Sequence, residues 1–361
     1  MDKSHTYQNP ELIKRSLETL SKILTKKWAI MEICGGQTHA FMQTGLSGML
    51  PDEIELIHGP GCPVCVTSLE LVDKAVAIAS SENVIFTSYG DMLRVPGSES
   101  DLFSVRAAGG DVRVLYSPIE ALQIAENNPD KEVVFFGIGF ETTAPSNAIS
   151  VIKAEERKIS NYSMLVSHVR VPPAMHAILS AENNRVQGFL AAGHVCAVMG
   201  LSEYFPIAEK YHTPITVTGF EPMDLIRGIL ETVRMLEEGS TNVVNAYERV
   251  VSPQGNMQAK KIIDQAFVEC DRQWRGIGMI PMSGWKLNTV YAQYDAELKF
   301  NVENIKTHES EICISGLILQ GIKKPYECPA FGTQCTPQNP LGATMVSSEG
   351  ACAAYYRYGN K

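Results

Sequence analysis

Between Pro10 and Lys26 the apolar residues Ile13, Leu17, Leu20 and Leu24 recur at three- and four-residue steps, which predicts an amphipathic helix. Beyond it the pattern changes to short apolar runs separated by mixed segments. The runs are Trp28–Cys34, Ile54–His58, Val84–Ser88, Val112–Tyr116, Glu132–Gly139, Ser163–Val169, Gln187–Ala192 and Thr213–Gly219. Several are near-continuous rather than alternating, as strands covered on both faces of a parallel sheet are. Between them lie segments with helical character, among them Ser68–Ser80, Asp101–Ala108, Pro118–Glu126, Pro145–Glu156 and Met223–Glu238. Strand–helix alternation reads as βαβ units. The expected fold is therefore α/β, with two Rossmann-like parallel-sheet domains.

Turn-rich breaks suggest how the chain divides. Val95-Pro96-Gly97-Ser98-Glu99-Ser100 is a plausible crossing point between the two domains, and Ser252-Pro253-Gln254-Gly255-Asn256 marks a second break. Glycine, proline and cysteine become dense from Gly321 onward, which suits a small domain held by a metal site better than one held by a large core. The expected division is residues 15–95 with 205–250, then 96–204, then a smaller C-terminal iron–sulfur domain of 251–361 with 1–14. Gly139-Phe140-Glu141 and Gly219-Phe220-Glu221 each close a strand and open a helix, a weak internal echo of duplication.

Composition narrows the function. The chain has 361 residues and a formal net charge of −9. No Lys/Arg stripe with interleaved aromatics is present, so phosphate neutralisation on a nucleic acid is not expected. The start, Met1 to Gln8, lacks the basic-then-apolar order of a signal peptide. No stretch approaches the ~18 uninterrupted apolar residues of a membrane span; the best, Gly188 to Leu201, contains His194. No membrane role is expected, and the setting expected is cytoplasmic. The nine cysteines are odd in number, which disfavours a secreted disulfide framework and favours metal binding or redox chemistry.

Two cysteine groups carry that chemistry. Cys34-Gly35-Gly36-Gln37-Thr38-His39 follows the first predicted strand, and Gly59-Pro60-Gly61-Cys62-Pro63-Val64-Cys65 follows the second. Loops after parallel strands share one sheet edge, so Cys34 can approach Cys62 and Cys65 if the strands are neighbours. A helix start after each cysteine should lower the thiol pKa. Cys62 and Cys65 have dithiol spacing, and His39 is a candidate proton carrier. His58 reads as structural. A zinc half-site would want a second short knuckle, and none is nearby.

The second group is Cys313, Cys328, Cys335 and Cys352. Four thiolates on irregular loops suit an iron–sulfur cluster or a four-cysteine zinc site, and the wide, uneven spacing tilts toward [4Fe-4S]. Cys196 and Cys270 stand alone and read as small buried hydrophobes. Glu349, close to Cys352, is either a proton relay or a carboxylate favoured at a helix start.

Taken together, Cys34 to His39, Gly59 to Cys65, Gly139 to Thr143, Gly193-His194-Val195, Gly219 to Pro222, Cys328 to Cys335 and Met345 to Cys352 resemble the [NiFe]-hydrogenase maturation protein family HypD over nearly the whole length. The resemblance implies two similar α/β domains and a third binding a [4Fe-4S] cluster. It implies a scaffold and redox role in assembling an Fe(CN)2CO unit. Cys34 would hold the iron together with a HypC-type chaperone. A HypE-type partner, fed by HypF, would donate cyanide, and the hydrogenase large subunit would receive the unit indirectly. Cys62 and Cys65 would be the dithiol exchanging electrons with the cluster. Gln37 departs from the pattern, since many members carry His there and an amide cannot carry charge. Ser315 and Thr344, where relatives can carry Cys, are not usual cluster ligands, which leaves Cys313 as the fourth thiolate. Glu141 and Glu221 read first as charges at helix starts. The rival functions are a thiol–disulfide oxidoreductase using Cys62 and Cys65, and a zinc-stabilised binding module.

Overall fold

The computed structural model describes residues 8–302 and 305–359. All eight predicted strands form, and three more join them. The strands are β1 (Trp28–Glu32), β2 (Ile54–His58), β3 (Val84–Ser88), β4 (Asp111–Val114), β5 (Glu132–Gly139), β6 (Tyr162–Val169), β7 (Gly188–Ala192), β8 (Ile215–Thr218), β9 (Val243–Asn245), β10 (Phe267–Trp274) and β11 (Gly278–Leu287). They make two sheets. The first has the order β2-β1-β7-β8-β9 and is parallel throughout. The second runs β4-β3-β5-β6 in parallel, then β11 and β10 in antiparallel pairing. Strands β1, β3, β6, β7 and β8 are buried along their whole length, as their continuous apolar runs foretold.

Counted along the chain, the first four parallel strands of each sheet follow one order, second, first, third, fourth, and the first sheet adds a fifth at the end. In such a sheet, successive connections leave the first strand toward opposite sides. A crevice opens between the first and third strands, beyond their carboxyl ends. The first sheet has its crevice between β1 and β7, the second between β3 and β5. A continuous core containing Met31 and Phe189 of the first sheet and Phe86 and Phe136 of the second joins the two.

Sheet membership departs from the expected division in four places. β3 belongs to the second sheet and β7 to the first. The chain therefore crosses between residues 59 and 83, through the Cys62–Cys65 segment, and not at Val95–Ser100. The hairpin β10–β11, expected in the cysteine-rich unit, extends the second sheet. The helix Pro10–Ile23 packs along the helix Pro222–Glu238 of the first sheet, so residues 8–14 sit there too. Residues 1–7, 303–304 and 360–361 of the expected third unit lie outside the described residues. The Gly-Phe-Glu echo is not a duplicated position: one copy follows the third strand of its sheet, the other the fourth. The C-terminal segment is loop-rich as expected, with a small core of Ile318, Ala330, Cys335, Met345, Ala351 and Cys352.

Buried polar groups tie the sheets together where the chain leaves β6. Arg170 reaches Glu203 and Glu269, both at 2.6 Å. Glu141 is 1% exposed and accepts the Val171 N–H at 2.8 Å, the start of the helix Val171–Ser180, while its Oε2 has no hydrogen-bond partner. It does charge a helix start, but not the one that follows it in the chain. Burial, with Glu203 adding like charge, pushes its pKa up to about 7.

This has a consequence for stability. A carboxyl whose folded pKa is raised binds more protons folded than unfolded between its ordinary value of 4.5 and about 7. Stability is therefore lost as pH rises through that window, by about 3 kcal/mol for this group. Urea unfolding at pH 5 and pH 8 should show E141Q losing less stability over that interval than wild type, by about 3 kcal/mol. Parallel pH profiles for the two chains would contradict the assignment.

Candidate functional site

Cys34 stands one residue past Ile33, at the carboxyl end of β1, and N-caps the helix Gly35–Gln43. It thus lies in the β1–β7 crevice. Across the crevice the chain leaves β7 into the helix Gly193–Met199, and His194 Nε2 comes within 3.9 Å of the Cys34 Sγ. The His194 ring packs on Phe220 at 5.0 Å, on the loop after β8. Burial holds His194 neutral, lowering its pKa to about 4. A histidine opening a helix straight after a strand is the local signal that marks it in the sequence.

The thiol departs from the expected depressed pKa. The N–H groups of Gly36 and Gln37 do favour its thiolate, but burial outweighs them, and the nearby charges of Glu349 and Glu32 add to it. The Cys34 pKa is pushed up to about 12. Gln37 is buried, donates its Nε2–H to the Ala191 carbonyl at 3.2 Å, and leaves Oε1 without a hydrogen-bond partner.

The Cys62 loop comes from β2, the direct neighbour of β1. It meets the Cys34 loop backbone to backbone. The Gly35 N–H donates to the Gly61 carbonyl at 3.0 Å. A Cβ on Gly61 would stand 1.9 Å from the Ile33 oxygen and 2.4 Å from the Cys34 Cα, so only glycine permits this approach. Cys62 N-caps the short helix Pro63–Val66 and is joined to Cys65 in a disulfide. The hairpin holds the end of this segment, with Thr67 bridging to Trp274 and the Arg275 N–H donating to the Val66 carbonyl at 2.9 Å.

A third segment arrives from the C-terminal unit. A Cβ on Gly35 would stand 2.2 Å from the Glu349 carbonyl oxygen. His39 Nδ1–H donates to the Ser348 carbonyl at 3.0 Å, so His39 holds this loop against the Cys34 helix. Desolvation and the charge of Asp91 raise the Glu349 carboxyl above its ordinary range. Glu349 thus lies both against the Cys34 helix and just before the helix Ala351–Tyr358. Tyr355 bonds His58 Nε2 at 2.8 Å, and His58 Nδ1 pairs with Glu32, so His58 is structural as expected.

The second crevice opens next to this junction. Between β3 and β5 lies a cleft of about 370 Å³ lined by Pro63 and Val64 of the disulfide helix, Tyr89, Asp91, Thr143 and Glu349, among others. Two of its lining residues, Tyr89 and Gly139, are joined by a directional chain that the sequence did not announce. The Tyr89 hydroxyl donates to Asn147 Oδ1 at 3.0 Å, Asn147 Nδ2–H to His168 Nε2 at 2.8 Å, and His168 Nδ1–H to the Gly139 carbonyl at 3.2 Å. His168 is buried and neutral, its pKa lowered to about 3.

Cys313, Cys328, Cys335 and Cys352 gather behind the junction. The charged forms of the other three oppose ionisation of Cys352, and burial, the larger effect, lifts its pKa to about 12. A Cβ on Gly342 would stand 2.5 Å from the Cys313 Sγ. Among the described residues, no three His, Cys, Asp or Glu side chains stand close enough to hold one ion, so the thiols are neighbours and not a closed ligand shell. Their chemistry fits a soft metal centre: four sulfur donors, two buried and two half-buried, that oppose one another when charged are relieved together by a cation. Cys196 is buried in the core as expected, and Cys270 is half-buried on β10. Glu221 N-caps the helix Pro222–Glu238 and accepts from Gln8 at 3.0 Å.

Residues 11–359 match the sequence profile of HypD, the hydrogenase formation hypA family. The chain is 44% identical over 343 residues to the hydrogenase maturation factor HypD of Azotobacter vinelandii, covering 93% of this chain and 90% of that one. It is 42% identical over 360 residues to the HypD factor of Escherichia coli strain K12, covering 98% and 96%. It is likewise 42% identical over 365 residues to the Rhodobacter capsulatus factor, covering 98% and 97%. Among the described residues, no helix is long and apolar enough to cross a membrane.

The loop contact carries a testable cost. G61A should lower stability by about 3 kcal/mol, because both clashing atoms are backbone. It should also speed alkylation of Cys34 as the loops part. An unfolding free energy from urea titration within about 0.5 kcal/mol of wild type would contradict the close approach.

Proposed function

The chain belongs to the HypD family of hydrogenase maturation proteins, and on that premise we propose that it is the scaffold and redox protein on which the Fe(CN)2CO unit of [NiFe]-hydrogenase is assembled. The observation that carries the reading is the junction itself. A buried thiol in one sheet's crevice packs directly on a disulfide loop and on the loop leading to a group of four cysteines.

In this reading Cys34 holds the iron, which is the cargo, together with a HypC-type chaperone. A free thiol near pKa 12 is protonated at neutral pH, so taking up iron releases one proton. The N–H groups of Gly36 and Gln37 already favour the thiolate that results. His194, held neutral, sets no positive charge against the incoming cation. Glu349 and Glu32 add negative potential that opposes the free thiolate and favours a bound cation. A soft thiolate suits low-spin iron carrying CO and cyanide.

Opening the Cys62–Cys65 disulfide takes two electrons and two protons and yields two thiols; a one-electron centre would pass them one at a time, re-reduced between the two steps by an external one-electron donor. Cys313, Cys328, Cys335 and Cys352 are the residues that would hold a [4Fe-4S] cluster, which when bound supplies a one-electron store. The helix Pro63–Val66 packs against the turn Ala343–Met345, on the way to Cys352, which supports an exchange between dithiol and cluster. Cyanide comes from a HypE-type donor, and the finished unit leaves toward the hydrogenase large subunit. The family resemblance and the absence of a long apolar helix among the described residues are compatible with a cytoplasmic site of action.

The test is infrared spectroscopy of the anaerobically co-purified complex with a HypC-type chaperone. Wild type should show the CO and cyanide stretching bands, and C34A should lack them while keeping its fold by circular dichroism. Bands of full intensity in C34A would remove Cys34 as the iron-holding thiolate.

A further inference from the structure

Thr344 belongs to neither cysteine group, yet it touches a ligand-type sulfur. Its side chain is 1% exposed, and its hydroxyl donates to the Cys352 Sγ at 3.1 Å. The turn that carries it is fixed by the backbone. The Met345 N–H donates to the Gly342 carbonyl, and the Val346 N–H to the Ala343 carbonyl, each at 3.1 Å. The Thr344 carbonyl lies against Gly350, where a Cβ would stand 2.2 Å away, so the turn cannot shift without moving the start of the helix Ala351–Tyr358. The same turn packs on the disulfide helix Pro63–Val66. The hydroxyl is thus a buried donor aimed at one sulfur, placed between the two redox groups.

We propose that Thr344 is a positioning residue that raises the reduction potential of the centre held by Cys313, Cys328, Cys335 and Cys352. This rests on the four-thiolate reading above. A hydrogen bond to a ligand sulfur stabilises whichever state puts more negative charge there. One electron added to the centre increases that charge, so the bond is stronger after reduction than before. Removing the donor costs the reduced form more and makes the centre harder to reduce.

The experiment compares wild type, T344V and T344S, purified anaerobically, in a dithionite titration followed by electron paramagnetic resonance. T344V keeps the shape and loses the donor; T344S keeps the donor. At the wild-type midpoint the reduced-to-oxidised ratio should fall about fivefold in T344V and stay within about twofold in T344S. An unchanged ratio in a T344V chain with wild-type iron and sulfide content overturns the inference and leaves the four-thiolate reading standing. If T344V keeps its fold but loses the centre, T344A is titrated in its place. Loss there too makes Thr344 a retention residue and overturns the inference. Wild type with no iron–sulfur signal overturns both.

Discussion

The organisation of this protein depends on a backbone contact. Two loops from neighbouring strands approach so closely at Gly61 that any side chain there would collide with Ile33 and Cys34. Gly35 repeats the arrangement against Glu349. These glycines let three segments from distant parts of the chain meet around one thiol. Contacts between main chains cannot be adjusted by a change of rotamer, so the relative placement of Cys34, the Cys62–Cys65 loop and the Glu349 loop is set by the fold itself.

The two sheets supply the rest of the geometry. Each has the same parallel order and therefore its own crevice between first and third strands. Cys34 and His194 occupy one. The cleft over Tyr89 and Thr143 occupies the other. The chain passes from one sheet to the other through the Cys62–Cys65 segment, so the disulfide lies where the two crevices adjoin. The cysteine-rich unit then closes the junction with the loop that contains Glu349.

The local signals were legible in the sequence. Continuous apolar runs announced eight strands because strands buried on both faces leave no room for alternation. The glycines flanking Cys34 and Cys62 permit close approach, but nothing local says that a neighbouring loop is what approaches. Sheet membership was not legible, because β3 and β7 have the composition of any buried strand and nothing local says which sheet receives them. β9 has only three residues, and β10–β11 were obscured by their polar, solvent-facing positions. The Cys34 pKa went the other way because a helix start is a local feature, whereas burial depends on tertiary packing. Tyr89, Asn147 and His168 lie far apart in sequence and meet only through register. Thr344 reads in the sequence as an unsuitable ligand, and its hydrogen bond to Cys352 arises only from tertiary packing.

In the proposed function the four gathered thiols hold an electron store behind the Cys34 junction. Iron and acid-labile sulfide analysis of anaerobically purified protein, wild type beside C313A, tests it most directly. The expected result is a brown protein with about four iron and four sulfide per chain, depleted in C313A. Full occupancy in C313A would discard Cys313 as a ligand, and a colourless wild-type protein carrying one zinc and no labile sulfide would contradict the claim itself.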